Sequence, residues 1–202
     1  LSLLGPRAWL TGRVTPAVLV RKISGVNPTL LLDETDATFN GNKEFSEALR
    51  GVLNSGYRRG GVYSICVPEK GEWVYKDFLV FGPKALAGIG NLPDTVQDRG
   101  IHIEMRRKLK TEEAEKFRRR KVVQDAIPLA DALATWAYEA VPILELTEPN
   151  IPEKLNDRAA DVWEPLLAIA DMAGGKWPAW AQQSAITLSG DPVQEADSFG
   201  VT

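Results

Sequence analysis

Between residues 42 and 56 the chain reads NKEFSEALRGVLNSG, and its apolar residues Phe45, Ala48, Leu49, Val52 and Leu53 fall at i, i+3, i+4, i+7 and i+8. That spacing predicts an amphipathic helix with one buried face, opened by Asn42 and closed by Gly56. Upstream, TPAVLVRKISG (15–25) predicts a shorter helix with Thr15 as its cap, Pro16 at its first position and Gly25 at its end. PRAWLTG (6–12) predicts a short strand. Asn27-Pro28 breaks the chain before a second strand over 29–34. GVYSICV (61–67) and EWVYKDFLVFG (72–82) are aromatic and β-branched around a Pro-to-Gly turn, which predicts a β-hairpin. KALAGIG (84–90) and GIHIEM (100–105) predict two further strands, and NLPDTVQDR (91–99) between them has room for one helical turn.

From residue 111 the pattern turns helical. TEEAEKFRRRKVV starts acidic and ends basic, as the helix dipole favours, with Glu112–Lys116 and Glu115–Arg119 at i, i+4. Helices are predicted over 128–141, 157–175 and 178–188, with Pro165 as a kink or a second start. Strands in the first half and helices in the second predict an α/β core to about residue 108, a helical subdomain over 109–188, and a loose tail over 189–202.

Composition narrows the function. The 202 residues are 44% hydrophobic and 25% charged, enough to bury a core, and the net charge of −3 gives no global attraction to nucleic acid. One cysteine, Cys66, and one histidine, His102, exclude a disulfide framework and a Cys/His zinc site, and fit a reducing cytoplasm. Cys66 is expected to pack within the hairpin and His102 to be an ordinary strand residue. No apolar run reaches membrane-spanning length. Leu1 rather than Met stands first, as expected of a piece of a longer protein.

The chemistry concentrates in TLLLDETDATF (29–39). A run of residues suited to a buried strand ends in Asp33 and Glu34, with Asp36 two residues on. This fits the Walker B pattern of P-loop ATPases. There an Asp at the carboxyl end of a rigid buried strand holds Mg²⁺ through water, and the following Glu activates the water that attacks the γ-phosphate. The bland alternative is a strand ending in acids at a solvated edge. Asp36 reads as a turn residue.

Four stretches together resemble a family of phage- and mobile-element-associated P-loop ATPases known as a domain of unknown function, often linked to primase-polymerase domains. They are TLLLDETDATF (29–39), LRGVLNSGYRRGG (49–61), FGPKALAGIGNLPDTVQDRGIHIEMRRK (81–108) and LNDRAADVWEPLLAIADMAGGKWP (155–178). The resemblance covers residues 1 to about 190. It implies an α/β fold: the distal part of a P-loop NTPase core, AAA+-like or helicase-like, with a β-hairpin insertion and an all-helical subdomain. It also implies roles. Asn91 stands at a sensor-1 position that orients the attacking water; the alternative is a turn residue. Arg99 stands as an arginine finger reaching a neighbouring subunit's γ-phosphate; the alternative is a salt bridge with Asp94 or Asp98. Arg158 stands as a lid arginine over the nucleotide; the alternative is a capping residue paired with Asp157 or Asp161.

The phosphate loop, G-x-x-x-x-G-K-[ST] or a shortened form, is not in these residues. LSLL at 1–4 is similar to the end of the helix that follows such a loop, so the chain is expected to begin just after it. ATP and Mg²⁺ are then cofactors of the intact protein, and neither is expected to bind this chain tightly. Further expectations are a homo-oligomeric ring and contact with single-stranded or duplex DNA through Arg58 and Arg59, with no membrane. The hairpin aromatics Tyr63, Trp73, Tyr75 and Phe78 either stack on bases or pack on the core. The implied activity is ATP hydrolysis coupled to DNA translocation or remodelling in mobile-element replication. The competing expectation is a non-catalytic remnant or interaction module that keeps the fold.

Overall fold

The computed structural model describes residues 1–190 except 13, 40 and 42. Asn42, expected to cap a helix, and most of the expected tail lie outside the described residues. Strand β1 (Trp9–Thr11) leads to helix α1 (Pro16–Val26) and strand β2 (Leu30–Leu32). Thr15 accepts the Val18 N–H and Pro16 opens α1, as the sequence requires. The helix runs through Gly25 and ends at Asn27, whose left-handed backbone (φ 45°) returns its N–H to the Ile23 carbonyl. The short helix α2 (Thr35–Phe39) and then α3 (Lys43–Ser55) follow β2. All five residues of the predicted apolar face of α3 are buried.

The hairpin β3 (Val62–Glu69) and β4 (Glu72–Leu79) closes through Lys70 and Gly71, both at positive φ, the conformation that matches a two-residue turn to the strands' twist. Strand β5 (Lys84–Leu86) and the single turn α4 (Asp94–Gln97) complete the core. Strands β1, β2 and β5 form a parallel sheet in that order, with Leu31 opposite Leu10 on one side and Ala85 on the other. Its central strand is wholly buried. Leu30 and Leu32 enter the main core with Leu19, Val20, Leu49 and Val52 from α1 and α3. Tyr63, Ile65 and Phe78 of the hairpin pack on this core, while Trp73 and Tyr75 point away from it, 73% and 86% exposed. The expectation for the aromatics therefore divides by strand face. Cys66 shares the outer face and is exposed rather than packed.

Two expected elements are absent. Residues 100–105 form no strand, and Ile103, Met105 and the solvent-facing His102 are exposed. A strand needs a neighbour for its backbone groups, and these residues pair with none of the described strands. Residues 111–118 form no helix. The Glu112 carboxylate turns back to the Arg106 guanidinium and the Leu109 N–H, so the expected Glu112–Lys116 pair is not made. Helix α5 begins at Arg119 and runs to Leu144 through Pro128 and Pro142. Helices α6 (Asp157–Ala173) and α7 (Trp177–Ser189) then pack on each other around Trp163 and Leu167. Asn156 caps α6, which passes through Pro165 as one helix. Among the described residues no helix is long and apolar enough to cross a membrane.

Candidate functional site at the tip of the central strand

The carboxyl end of β2 delivers Asp33 and Glu34 to solvent from a buried, hydrogen-bonded strand. Asp33 Oδ1 accepts the Glu34 N–H at 2.9 Å. Glu34 itself sits in the left-handed region (φ 54°), a conformation costing a residue with a Cβ about 1–2 kcal/mol. The chain after it is clamped. Thr35 is buried, and both its N–H and its hydroxyl donate to the Ala87 carbonyl, at 3.0 and 3.2 Å. Asp36, expected in a turn, instead stands in the first turn of α2, where its Oδ1 accepts the Ile89 N–H at 3.2 Å and holds the facing loop. Gly88 lies so close that a Cβ there would stand 2.3 Å from the Thr35 hydroxyl. The loop after β5 is thereby drawn onto the acidic tip, with Asn91 exposed two residues beyond the clamped Ile89. Asp33, Glu34 and the Asn91 loop thus share one end of the sheet.

The arginines gather elsewhere. Helix α3 starts beside α2, where the Ser46 hydroxyl donates to the Phe39 carbonyl, and runs about 20 Å away from it to Gly56. Just beyond that far end, Tyr57 meets two guanidinium groups, Arg58 at 5.7 Å and Arg99 at 5.5 Å from the ring centroid. Arg99 makes neither expected salt bridge. Its Nη1 donates to the Thr95 carbonyl at 2.6 Å. Arg158 pairs with Asp98 at 3.1 Å, not with Asp157 or Asp161, and Arg59 pairs with Glu145 at 3.6 Å. Within one chain, then, neither Arg99 nor Arg158 is brought to Asp33 and Glu34.

Tyr57 and Lys84 are two residues that the sequence pattern does not single out. For Tyr57 the available signal is an aromatic ring set between a helix-ending glycine and two arginines. For Lys84 it is a lysine opening a strand of an internal sheet. The Lys84 Nζ donates to the carbonyls of Gly56, Val80 and Gly82, each at 2.9 Å.

As a magnesium site the acidic tip offers few ligands. No group of three or more His, Cys, Asp or Glu side chains suited to a metal occurs among the described residues. That rules against an all-protein cage there.

Residues 104–202 match the family model described as "Protein of unknown function (DUF3631)". Over 84 residues, 42% of this chain, the sequence is 44% identical to an "Uncharacterized 28.9 kDa protein in xis 5'region" of Saccharopolyspora erythraea. The aligned stretch spans 31% of that relative's length. No solved structure matches the chain. The family match takes in residues 106–121, rich in Lys and Arg, and helices α5, α6 and α7, but none of Asp33, Glu34, Asn91 and Arg99.

Proposed function

We propose that residues 1–108 are the distal part of a P-loop ATPase core, completed by a phosphate-binding loop from sequence outside these 202 residues. The observation that carries this reading is the backbone of Glu34. A non-glycine residue held left-handed at the tip of a buried strand is strain of the kind that collects at active sites, where the surroundings over-determine it. In this reading Asp33 holds Mg²⁺ through water. Glu34 takes the proton of the water that attacks the γ-phosphate, and Asn91 orients that water. Arg99 serves a neighbouring subunit in a homo-oligomer. The outer edge of β5 pairs with no described strand, which leaves room for the parallel strand that would lead into the loop. Hydrolysis would drive DNA translocation or remodelling, and a relative located in an xis 5′ region accords with a mobile-element setting.

The test is phosphate release by this chain and by a version extended upstream through a phosphate loop. The 202-residue chain is expected to show no magnesium-dependent release. The extended chain is expected to hydrolyse ATP, with Glu34→Gln slowing it by at least ~100-fold, the scale of a lost general base. Equal turnover by the extended chain and its Glu34→Gln variant would falsify the assignment. The second reading, an interaction module that has lost nucleotide chemistry, draws on helix α5. Ile127, Leu129, Trp136, Tyr138, Val141 and Ile143 stand exposed along it, more apolar surface than a solvent-facing helix carries.

A further inference from the structure

The chain reversal over residues 56–61 is unusually constrained. A Cβ on Gly61 would stand 1.7 Å from the Ser55 carbonyl oxygen, one on Gly56 would stand 2.2 Å from that of Val80, and Gly60 has φ +80°. The Lys84 ammonium grips the Gly56 carbonyl from below the loop. The backbone that carries Tyr57 and Arg58 is therefore fixed before any ligand arrives, which removes the loop's share of the ordering cost of binding.

Two arginines, Arg58 and Arg99, lie against the Tyr57 ring. Their chain neighbours Arg59 and Asp98 are engaged in ion pairs, with Glu145 and Arg158. Arg58 and Arg99 have no carboxylate within ion-pair distance among the described residues, and their contacts with the ring hold them without neutralising them. Arg99 spends Nη1 on the Thr95 carbonyl, and its Nε is shut off from solvent with no acceptor. That leaves Nη2 as the nitrogen an anion's oxygen can reach. A fixed loop and two surplus positive charges meet at one ring.

We infer that Tyr57, Arg58 and Arg99 form a phosphate-binding site, distinct from the acidic tip and lying where the α/β core meets the helices. Its ligand is a phosphate group, carried either by a free nucleotide or by a nucleic-acid backbone. Two guanidinium groups on one ring suit the tetrahedrally arranged oxygens of phosphate better than the single plane of a carboxylate. Arg99 is shared with the proposed function, but binding by the 202-residue chain requires no hydrolysis, so failure of one reading is distinguishable from failure of the other.

The test uses the 202-residue chain and a fluorescent 20-nucleotide oligothymidylate, with affinity measured by anisotropy between 50 and 200 mM salt. Arg58→Gln/Arg99→Gln is expected to weaken binding about tenfold or more at 50 mM salt and to reduce the log–log salt slope by about 1.4, the share of two single-strand phosphate contacts. Arg58→Lys/Arg99→Lys keeps the charge and loses the planar guanidinium. It is expected to bind several-fold more weakly with the salt slope kept, and it serves if the Gln variant fails to fold. Displacement of the oligonucleotide by millimolar inorganic phosphate or ATP identifies a site that reads a lone phosphate. Displacement by another oligonucleotide alone identifies one that needs the repeating backbone. Undiminished binding by both variants overturns the inference, as does no binding of either ligand by the wild type. Displacement by an acidic peptide as effective as that by oligonucleotide overturns it too.

Discussion

Lys84 opens the half-buried strand β5, and its three N–H donors are matched one to one by three carbonyls, from the end of α3, the end of the hairpin and the loop leading into β5. Burial pushes its pKa down from 10.5 to about 8, while the carbonyls pull the other way, because only the ammonium has three donors to give. The residue joins three chain reversals that no backbone ladder connects. Lys84→Met leaves those carbonyls without a donor and is expected to cost about 2–3 kcal/mol at pH 7, measured by urea unfolding. The pH dependence has a definite sign. Between about pH 8 and 10.5 the unfolded chain still holds the proton that the folded chain has released, so the stability contributed at this position rises with pH across that window and is flat below it. The gap between wild type and Lys84→Met should therefore widen in favour of wild type from pH 8 to 10. A gap that stays constant, or narrows, would show that the carbonyls dominate and the ammonium persists.

Elements fixed by their own neighbours in sequence are legible from the residues alone. Thr15 and Pro16 start α1, the five-residue apolar face makes α3, and the turn residues make the hairpin, all from interactions within a few positions. The acidic strand tip is legible for the same reason. What the sequence conceals depends on partners. Residues 100–105 alternate like a strand but have no strand to join, and Arg99 turns to Tyr57, 42 positions away in the chain, rather than to the adjacent Asp98. Residues 106–121 look helical by charge order, yet they hold nine of the chain's 24 Lys and Arg against three acids, and such a run repels itself when unbraced. Its one ordered feature is local. The Arg106 guanidinium and the Leu109 N–H hold the Glu112 carboxyl below the usual carboxylate range. A segment this exposed and this basic, with no helix or strand before Arg119, is expected to be where trypsin cuts first. Mass spectrometry of a limited digest should find the earliest cleavages between Arg106 and Lys121. First cleavage in the hairpin, at Lys70 or Lys76, would mean that the basic segment is braced by something these contacts do not reveal.

Two separate apolar clusters divide the molecule at that segment. One is built by α1, α3, the sheet and the hairpin base around Leu19, Leu30, Leu49 and Val80. The other is built by α6 and α7 around Trp163 and Leu167, with Ile101 reaching in from the core side and the Trp163 indole donating to the Ser189 hydroxyl. Between them run two solvent-exposed ion pairs, Arg59–Glu145 and Arg158–Asp98, each worth at most about 1 kcal/mol. The charges differ as well: residues 122–190 carry ten acids against three bases, opposite in sign to the segment that joins them to the core. A seam this thin does not make one cooperative unit of two cores. Hydrogen exchange followed with increasing urea is expected to give two classes of slow amides. One should lie in residues 19–23, 49–53 and 78–80, the other in 159–170, and each should open with its own free energy and denaturant slope. Disrupting the seam with Arg158→Ala should leave the first class unchanged and lower the protection of the second by about 1 kcal/mol or less. A single opening energy shared by both classes would mean that the helices fold only as part of the core. The arginine cluster at Tyr57 would then be part of a continuous packed interior rather than a surface between two units.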